Sequence, residues 1–379
     1  MRQSLPLADL DAPTRAGATT ITEANLMSDE QFRWLRRRRI AVVVPCYKVE
    51  RHIAAVIRGM PEFVSLIVAV DDACPNGSAA AVEKVGDPRV VLIEHETNQG
   101  VGGAMLTGYW ECLNRGADVI VKMDGDGQMD PRHLASLVRP IVNGGADYAK
   151  GNRWHHGASL SRMPALRRIG NLGLSFLAKL SSGHWKIFDP CNGYTAVHAG
   201  ALRRIEMDRI ARDYFFEISL LVELGIAEAA VRDVPMPAVY GEEISSLRVG
   251  RILRTFPHRL AKSLLRRIWR QHFVREFGPL GLFLVSGGML LTWGAVFGAC
   301  AWTRSLFSGI PATSGTVMLS AMPFLMGFQL LLQALMMDMA NCPSQPLSHH
   351  DAPEVIPGHW ALQPAHADAV QATDADLAI

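Results

Sequence analysis

"VIVKMDGDGQMDP", residues 119–131, is the stretch on which the reading of this chain turns. An apolar run at 119–121 leads into Asp124, Asp126 and Asp130, with Gln128 between them. Carboxylates gathered this closely repel one another, so the cluster needs an offsetting charge. A short apolar run that stops at a polar cluster reads as a buried strand delivering side chains to one edge of a sheet.

Working outward, apolar runs of strand length recur at 40–45, 66–70 and 90–93, as at 119–123. Segments of helical length separate them, at about 50–59, 77–85 and 102–113. Strands that are apolar throughout and alternate with helices predict an α/β fold with a parallel sheet covered on both faces. Such sheets bind ligands beyond the carboxyl ends of their strands. Asp71 and Asp72 follow one strand and Asp124 and Asp126 another, so both pairs fall on that edge.

Alternate residues of an extended segment project to the same side, which brings the oxygens of Asp124, Asp126 and Gln128 together. Oxygen donors of this kind suit Mg²⁺ or Mn²⁺, and Mg²⁺ usually shares its shell with substrate phosphates. Asp130, directly before Pro131, is better read as a helix cap. No GxxxxGK[ST] phosphate loop occurs, and "NQGVGGAMLTGY" does not fit GxGxxG. Its Gly100, Gly102 and Gly103 serve either close backbone approach to a ligand or tight packing of the helix that follows.

The chain has 379 residues, too many for one ordinary core, and a formal net charge of +2. That balance argues against a nucleic-acid footprint. The charge is unevenly spread: nine Lys or Arg and no acid lie between Arg248 and Arg275, and no Lys or Arg follows Arg304. The six cysteines show no zinc or disulfide spacing and read as reduced thiols. Residues 277–303 and 305–337 carry no charge, and each stretch exceeds the ~20 residues needed to span a membrane. A short link predicts a hairpin, and the basic flank before Phe277 predicts that both termini are cytoplasmic. Between sheet and hairpin, Leu260, Leu264, Leu265, Ile268 and Trp269 share one helical face, opposite Arg259, Lys262, Arg266, Arg267 and Arg270. This predicts a helix lying among lipid headgroups. The expected divisions are a mobile tail at 1–37, a catalytic domain at 38–248, a basic juxtamembrane segment at 249–276, two membrane helices at 277–340 and a disordered acidic tail at 341–379.

Taken in order, "VVVPCYKVERHI", "VDDACPNGS", "NQGVGGAMLTGY", "MDGDGQMDP", "GNR" and "DPCNGY" resemble the successive motifs of family 2 glycosyltransferases. Within that family the chain is most similar to dolichyl-phosphate mannose synthase and the bacterial polyprenyl-phosphate glycosyltransferases. The resemblance spans about 40–248 and implies a GT-A fold, a nucleotide sugar donor and a divalent cation. It further implies that Pro45, Tyr47, Glu50 and Asp72 hold base and ribose, with Gly102 near the nucleotide. Asp124 would face the donor, and Asp126 and Gln128 would bind metal and diphosphate. Arg153 and Arg167 would bind an acceptor phosphate, with Asp189 in the acceptor-side loop. Asn171 stands where the family often has Ser, and "YGEEISSLR" replaces its usual Arg and GESK. Arg248 or Arg251 is a candidate substitute for that arginine.

The resemblance implies inverting transfer to a polyprenyl phosphate, undecaprenyl or dolichyl, at the cytoplasmic face of the inner membrane. Transfer to a glycan hydroxyl, with Asp189 or Glu217 as base, stays open, as do a non-catalytic membrane scaffold and a homo-oligomer.

Overall fold

The computed structural model describes residues 38–153, 165–236 and 249–347, together with Leu35; at 165–169, 171 and 249–254 only the backbone is described. The expected tail at 1–37, most of that at 341–379, and "YGEEISSLR" therefore lie outside the described residues.

Seven strands form one sheet: β1 (Ile40–Cys46), β2 (Val64–Asp71), β3 (Val90–Glu94), β4 (Val119–Lys122), β5 (Tyr148–Asn152), β6 (Thr195–His198) and β7 (Val231–Pro235), in the order β3-β2-β1-β4-β6-β5-β7. The first four are the expected apolar strands, and all pair in parallel. Burial on both faces is what makes "IAVVV" continuous rather than alternating. One face packs on α1 (Ile53–Arg58), α2 (Ser78–Glu83) and α4 (Leu134–Val142). The other packs on α3 (Gly100–Asn114), the short α6 (Ala199–Leu202) and α7 (Phe216–Ile226).

β6 departs from a wholly parallel sheet. It runs antiparallel to both β4 and β5, with Thr195 opposite Lys122. A reversed strand enters the sheet where its neighbours leave it. The segment preceding β6, "DPCNGY", is thereby brought to the carboxyl end of β4.

Helices α5 (Ala165–Ser182) and α8 (Val249–Trp269) pack together against α7. Phe256 and Leu260 of α8 are buried with Ala178, Phe215 and Ile218. The basic run is therefore not simply a headgroup-facing stripe. Arg259 pairs with Asp213, Arg266 with Glu223, Arg267 with Asp338, Arg270 with Glu206 and Arg275 with Glu228. Most of those charges hold the helix to the sheet domain, while Leu265 and Trp269 stay exposed.

α9 (Pro279–Ser308) and α10 (Ser314–Ala340) form an antiparallel hairpin, each helix long and apolar enough to cross a membrane. Both helices are mostly exposed, unlike the core helices of a soluble body. Arg304 lies inside α9 rather than in the link. The seam is made of small residues: a Cβ on Gly327 would sit 2.4 Å from Leu291 N, and one on Gly294 2.6 Å from Phe324 N.

At the foot of the hairpin Arg267 clamps Asp338 with two prongs of 2.8 and 3.0 Å. Trp185 Nε1 donates to the same carboxylate at 2.8 Å. The chain then returns to the sheet domain, where Leu347 N donates to the buried Asp147 at 2.8 Å. The first residues of the expected disordered tail are thus docked.

Candidate active site

β4 delivers the acidic loop to the ligand edge together with a buried cation. Lys122 Nζ donates to Asp124 Oδ1 at 2.6 Å and lies 3.4 Å from Glu217 Oε1 on α7. Burial pulls this ammonium down, but Asp124 and Glu217 outweigh it and raise its pKa. A Cβ on Gly193 would meet Lys122 Nζ at 2.6 Å and Asp124 Oδ2 at 3.0 Å. Glycine in "DPCNGY" is thus what lets this loop close over the pair.

Asp126 Oδ1 accepts from Gln128 N at 2.9 Å, across a turn in which Gly127 takes a φ of +78°. Asp130 caps the 3₁₀ turn Pro131–His133, accepting from Arg132 N at 2.9 Å, as expected. The Arg132 guanidinium holds its carboxyl below the usual range. Among the described residues no three Asp, Glu, His or Cys side chains converge as a metal cage. The donor set is two carboxylates and an amide on one loop. It fits a cation that completes its shell with substrate oxygens rather than a closed protein site.

Arg153, just past β5, grips Asp189 through Nε at 2.8 Å and Nη2 at 3.3 Å. Asp189 is buried, whereas the arginine side chain is 41% exposed. Arg153, Gln128, Asn192 and Tyr194 line one small cavity of ≈ 60 Å³. The donor-side and acceptor-side motifs therefore meet. Asn192 pins the loop to β5 by donating to Gly151 O at 2.6 Å, and the buried Lys150 Nζ donates to Asn192 O. Burial lowers the Lys150 pKa. Asp233 supports the same loop from β7, accepting from Phe188 N at 2.8 Å and Asn152 Nδ2 at 3.1 Å. Burial raises its pKa to about 6.

On the nucleotide side, Pro45 is the last residue but one of β1 and Tyr47 is 44% exposed beyond it. Glu50 accepts from Asn76 Nδ2 at 3.3 Å, joining two loops of this edge. Two of the expected residues are engaged by the protein itself. Asp72 is buried, with one oxygen taken by His95 Nδ1 and Gln99 N at 2.8 and 2.7 Å and the other by Gly100 N at 2.8 Å. These bonds make it a support of the loop before α3. Gly102 donates from N to Arg212 O at 2.8 Å, and a Cβ there would lie 2.1 Å from Ala211 O. Its smallness serves packing against the protein backbone. Arg167 falls on α5, but its side chain lies outside the described residues.

Sequence reasoning did not single out Lys122, Lys150, Asn192 or Gly193. A lysine at the end of an apolar strand, directly before paired acids, was the available signal for Lys122.

Comparison with known proteins gives the following. Residues 41–206 match the family model described as glycosyl transferase family 2. The UDP-N-acetylglucosamine–dolichyl-phosphate N-acetylglucosaminyltransferase of Methanococcus voltae is 28% identical over 54% of this chain and 86% of its own. The polyprenol monophosphomannose synthase of Mycolicibacterium smegmatis is 30% identical over 48% of this chain and 71% of its own. Among solved structures, glucosyl-3-phosphoglycerate synthase from Mycobacterium tuberculosis aligns with 63% of this chain and 82% of its own, at 21% identity and a TM-score of 0.46.

Proposed function

Because the chain belongs to glycosyltransferase family 2 and is a glycosyltransferase, we propose that it moves a sugar from a UDP- or GDP-sugar to a polyprenyl phosphate, undecaprenyl or dolichyl. The observation that carries the reading is the engagement of both carboxylates able to act as a base. Asp189 is gripped by Arg153, and Glu217 faces the buried Lys122. A hydroxyl acceptor needs such a base. A phosphate monoester does not: its second pKa is ~6, so at pH 7 it is mostly a dianion and already nucleophilic. It needs a cation at the site, and Arg153 presents a half-exposed planar fork suited to phosphate. The names of two relatives, one dolichyl-phosphate-linked and one polyprenol-linked, support the same acceptor class.

In this reading Tyr47 and Glu50 flank the nucleotide, and Asp72 shapes the loop beneath it. Asp124 orients the sugar, its carboxylate fixed from behind by Lys122. Asp126 and Gln128 would hold Mg²⁺ or Mn²⁺, which offsets charge on the departing diphosphate when bound. Arg153, aided by Arg167, sets the acceptor phosphate in line with the sugar's anomeric carbon. Displacement then proceeds in one step with inversion. The hairpin crosses the inner membrane, and the basic flank keeps the catalytic domain and both termini cytoplasmic.

Transfer assays on the purified full-length chain test this, with labelled UDP- and GDP-sugars and short-chain polyprenyl phosphate against the same lipid without its phosphate. Product is expected from the phosphate alone. Equal turnover on both lipids would sink the reading and favour a hydroxyl acceptor.

A further inference from the structure

A chamber of ≈ 700 Å³ opens at the foot of the hairpin, away from the strand ends that carry the acidic loop. Its walls come from the last turns of α5 and α7, the π-helical stretch Arg270–Arg275, the start of α9, the end of α10 and the returning segment 341–347. The volume lies in the range of small-molecule sites.

Its depth is set by helix length. At ~1.5 Å per residue, the 30 and 27 residues of α9 and α10 span roughly 45 and 40 Å. The hydrocarbon core is ~30 Å thick, so the helix ends stand in the headgroup layer. An aromatic ladder marks the same level: Trp269 stacks on Phe273 at 5.4 Å, and Phe273 meets Phe277 at 5.7 Å. Trp269 and Phe277 are both exposed, as residues of a membrane-interface belt are.

The lining carries both signs of charge. Arg267 and Asp338 neutralise each other. Arg275 and Glu228 pair at 3.0 Å but are each 52% exposed, so solvent or a ligand reaches both. Glu276 adds a further carboxylate. Arg267 Nε and His272 Nε2 are buried with no hydrogen-bond partner, and Arg267 is 2% exposed overall. Buried polar atoms left in this way mark a place where a partner belongs. Leu280 and Met337 lead from the polar floor toward the apolar helix faces.

We propose that this chamber binds the headgroup of a zwitterionic glycerophospholipid of the phosphoethanolamine type. Its phosphate faces Arg275 and His272, its ammonium faces Glu228 and Glu276, and its acyl chains run down the hairpin. A purely anionic headgroup would leave those carboxylates opposed, and this selects the zwitterion. The proposal rests on the hairpin crossing a membrane.

Native mass spectrometry of the full chain tests it, after release from vesicles of equal phosphatidylethanolamine and phosphatidylglycerol. One phosphatidylethanolamine is expected to stay bound at collision energies that strip the remaining lipid. Arg275→Ala and Glu276→Gln should each lower its retention tenfold or more while sugar transfer in detergent is unchanged. In a second arm, soluble glycerophosphoethanolamine offered in detergent should not be retained. Retention of the soluble compound as strongly as the lipid would overturn the lipid assignment. So would equal retention of both lipids, or retention unmoved by the substitutions. A chain that washes off vesicles altogether would instead refute the membrane reading, a distinct result.

Discussion

Two of the bidentate arginine–aspartate pairs play opposite parts. Arg153 holds Asp189 at the ligand edge, and Arg267 holds Asp338 at the foot of the hairpin. In each the carboxylate is largely buried. The difference lies in the arginine: 41% exposed in the first pair and 3% in the second. An exposed guanidinium keeps donors within reach of water and of an incoming phosphate. A buried one also donates to Leu180 O and Gln271 Oε1, each at 3.0 Å, so both its terminal nitrogens are occupied within the protein. The contrast assigns the first pair to chemistry and the second to architecture, because breaking a buried pair leaves a charge uncompensated.

The largest effect should come from the buried pair. Arg267→Ala strands Asp338 and is expected to cost about 3–5 kcal/mol of stability, read as thermal unfolding in detergent. Arg267→Met combined with Asp338→Leu should recover much of that loss, since it removes both charges. Equal stability of the single variant and the parent would erase the distinction between the pairs.

Next in size is Arg153→Ala. Losing a charge-assisted phosphate contact typically costs a few kcal/mol, so kcat/KM for acceptor should fall about a hundredfold. Nucleotide binding should barely move, the thermal midpoint should fall less than in Arg267→Ala because the half-exposed arginine leaves room for water at Asp189, and Arg153→Lys should recover only part of the activity, lacking the planar fork. A fall in stability as large as that of Arg267→Ala would make this pair architectural too.

Gly193→Ala sharpens the comparison from the loop that carries Asp189. The added methyl meets Lys122 Nζ at 2.6 Å, so Lys122 or the loop must shift. We expect about tenfold lower kcat, with donor KM affected more than acceptor KM, because Asp124 moves with Lys122. An unchanged kcat would remove Lys122 from the donor side.

The smallest effects concern pH and have opposite signs at the two places. Asp233, beside the first pair, has its pKa raised to about 6 by burial. From the ordinary carboxylate value up to about 6 the folded state keeps a proton that the unfolded state has lost. Its contribution to stability therefore falls as pH rises through that window, and Asp233→Asn should flatten the slope. His184, beside the second pair, has its pKa lowered to about 3, first by burial and then by Arg267. Below its ordinary value of 6.5 the unfolded state takes up a proton that the folded state refuses, so stability falls as pH drops. Unfolding midpoints between pH 4 and 8 for parent, Asp233→Asn and His184→Gln separate the two slopes. Parallel curves for all three would exclude both groups.

How much of this was legible in sequence depends on burial. β1 to β4 were readable because a strand covered on both faces must be apolar. β5, β6 and β7 were not. "YAKGN" buries a lysine whose partner, Asn192 O, arrives from a distant loop, and no local pattern announces it. β6 has four residues, too few for a period. The acidic loop could be found because its types are rare at strand ends, whereas Arg153 and Asp189 were reached only through the family resemblance of "GNR" and "DPCNGY". Asp72 and Gly102 make contacts that the sequence did not announce. A buried carboxylate and a small residue look alike in sequence whether they meet a ligand or a backbone, and here loop residues took both. The amphipathic reading of α8 failed in part because the acids that pair with its arginines lie far along the chain.

The reversed strand β6 has a consequence for the order in which the protein folds. β5 pairs with β6 and β7, so β6 is what joins the β5-β7 ribbon to β4 and the first half of the sheet. The parallel half, β3-β2-β1-β4, closes from residues 40 to 122 as they leave the ribosome. The junction waits for residue 195, a long loop closure rewarded by one short strand. Lys122, Asp124, Gly193 and Asn192 all sit at that junction. The chemistry therefore assembles only after the parallel half has closed, and the amides of residues 195–198 should exchange hydrogen ahead of those of β1 when the two halves part.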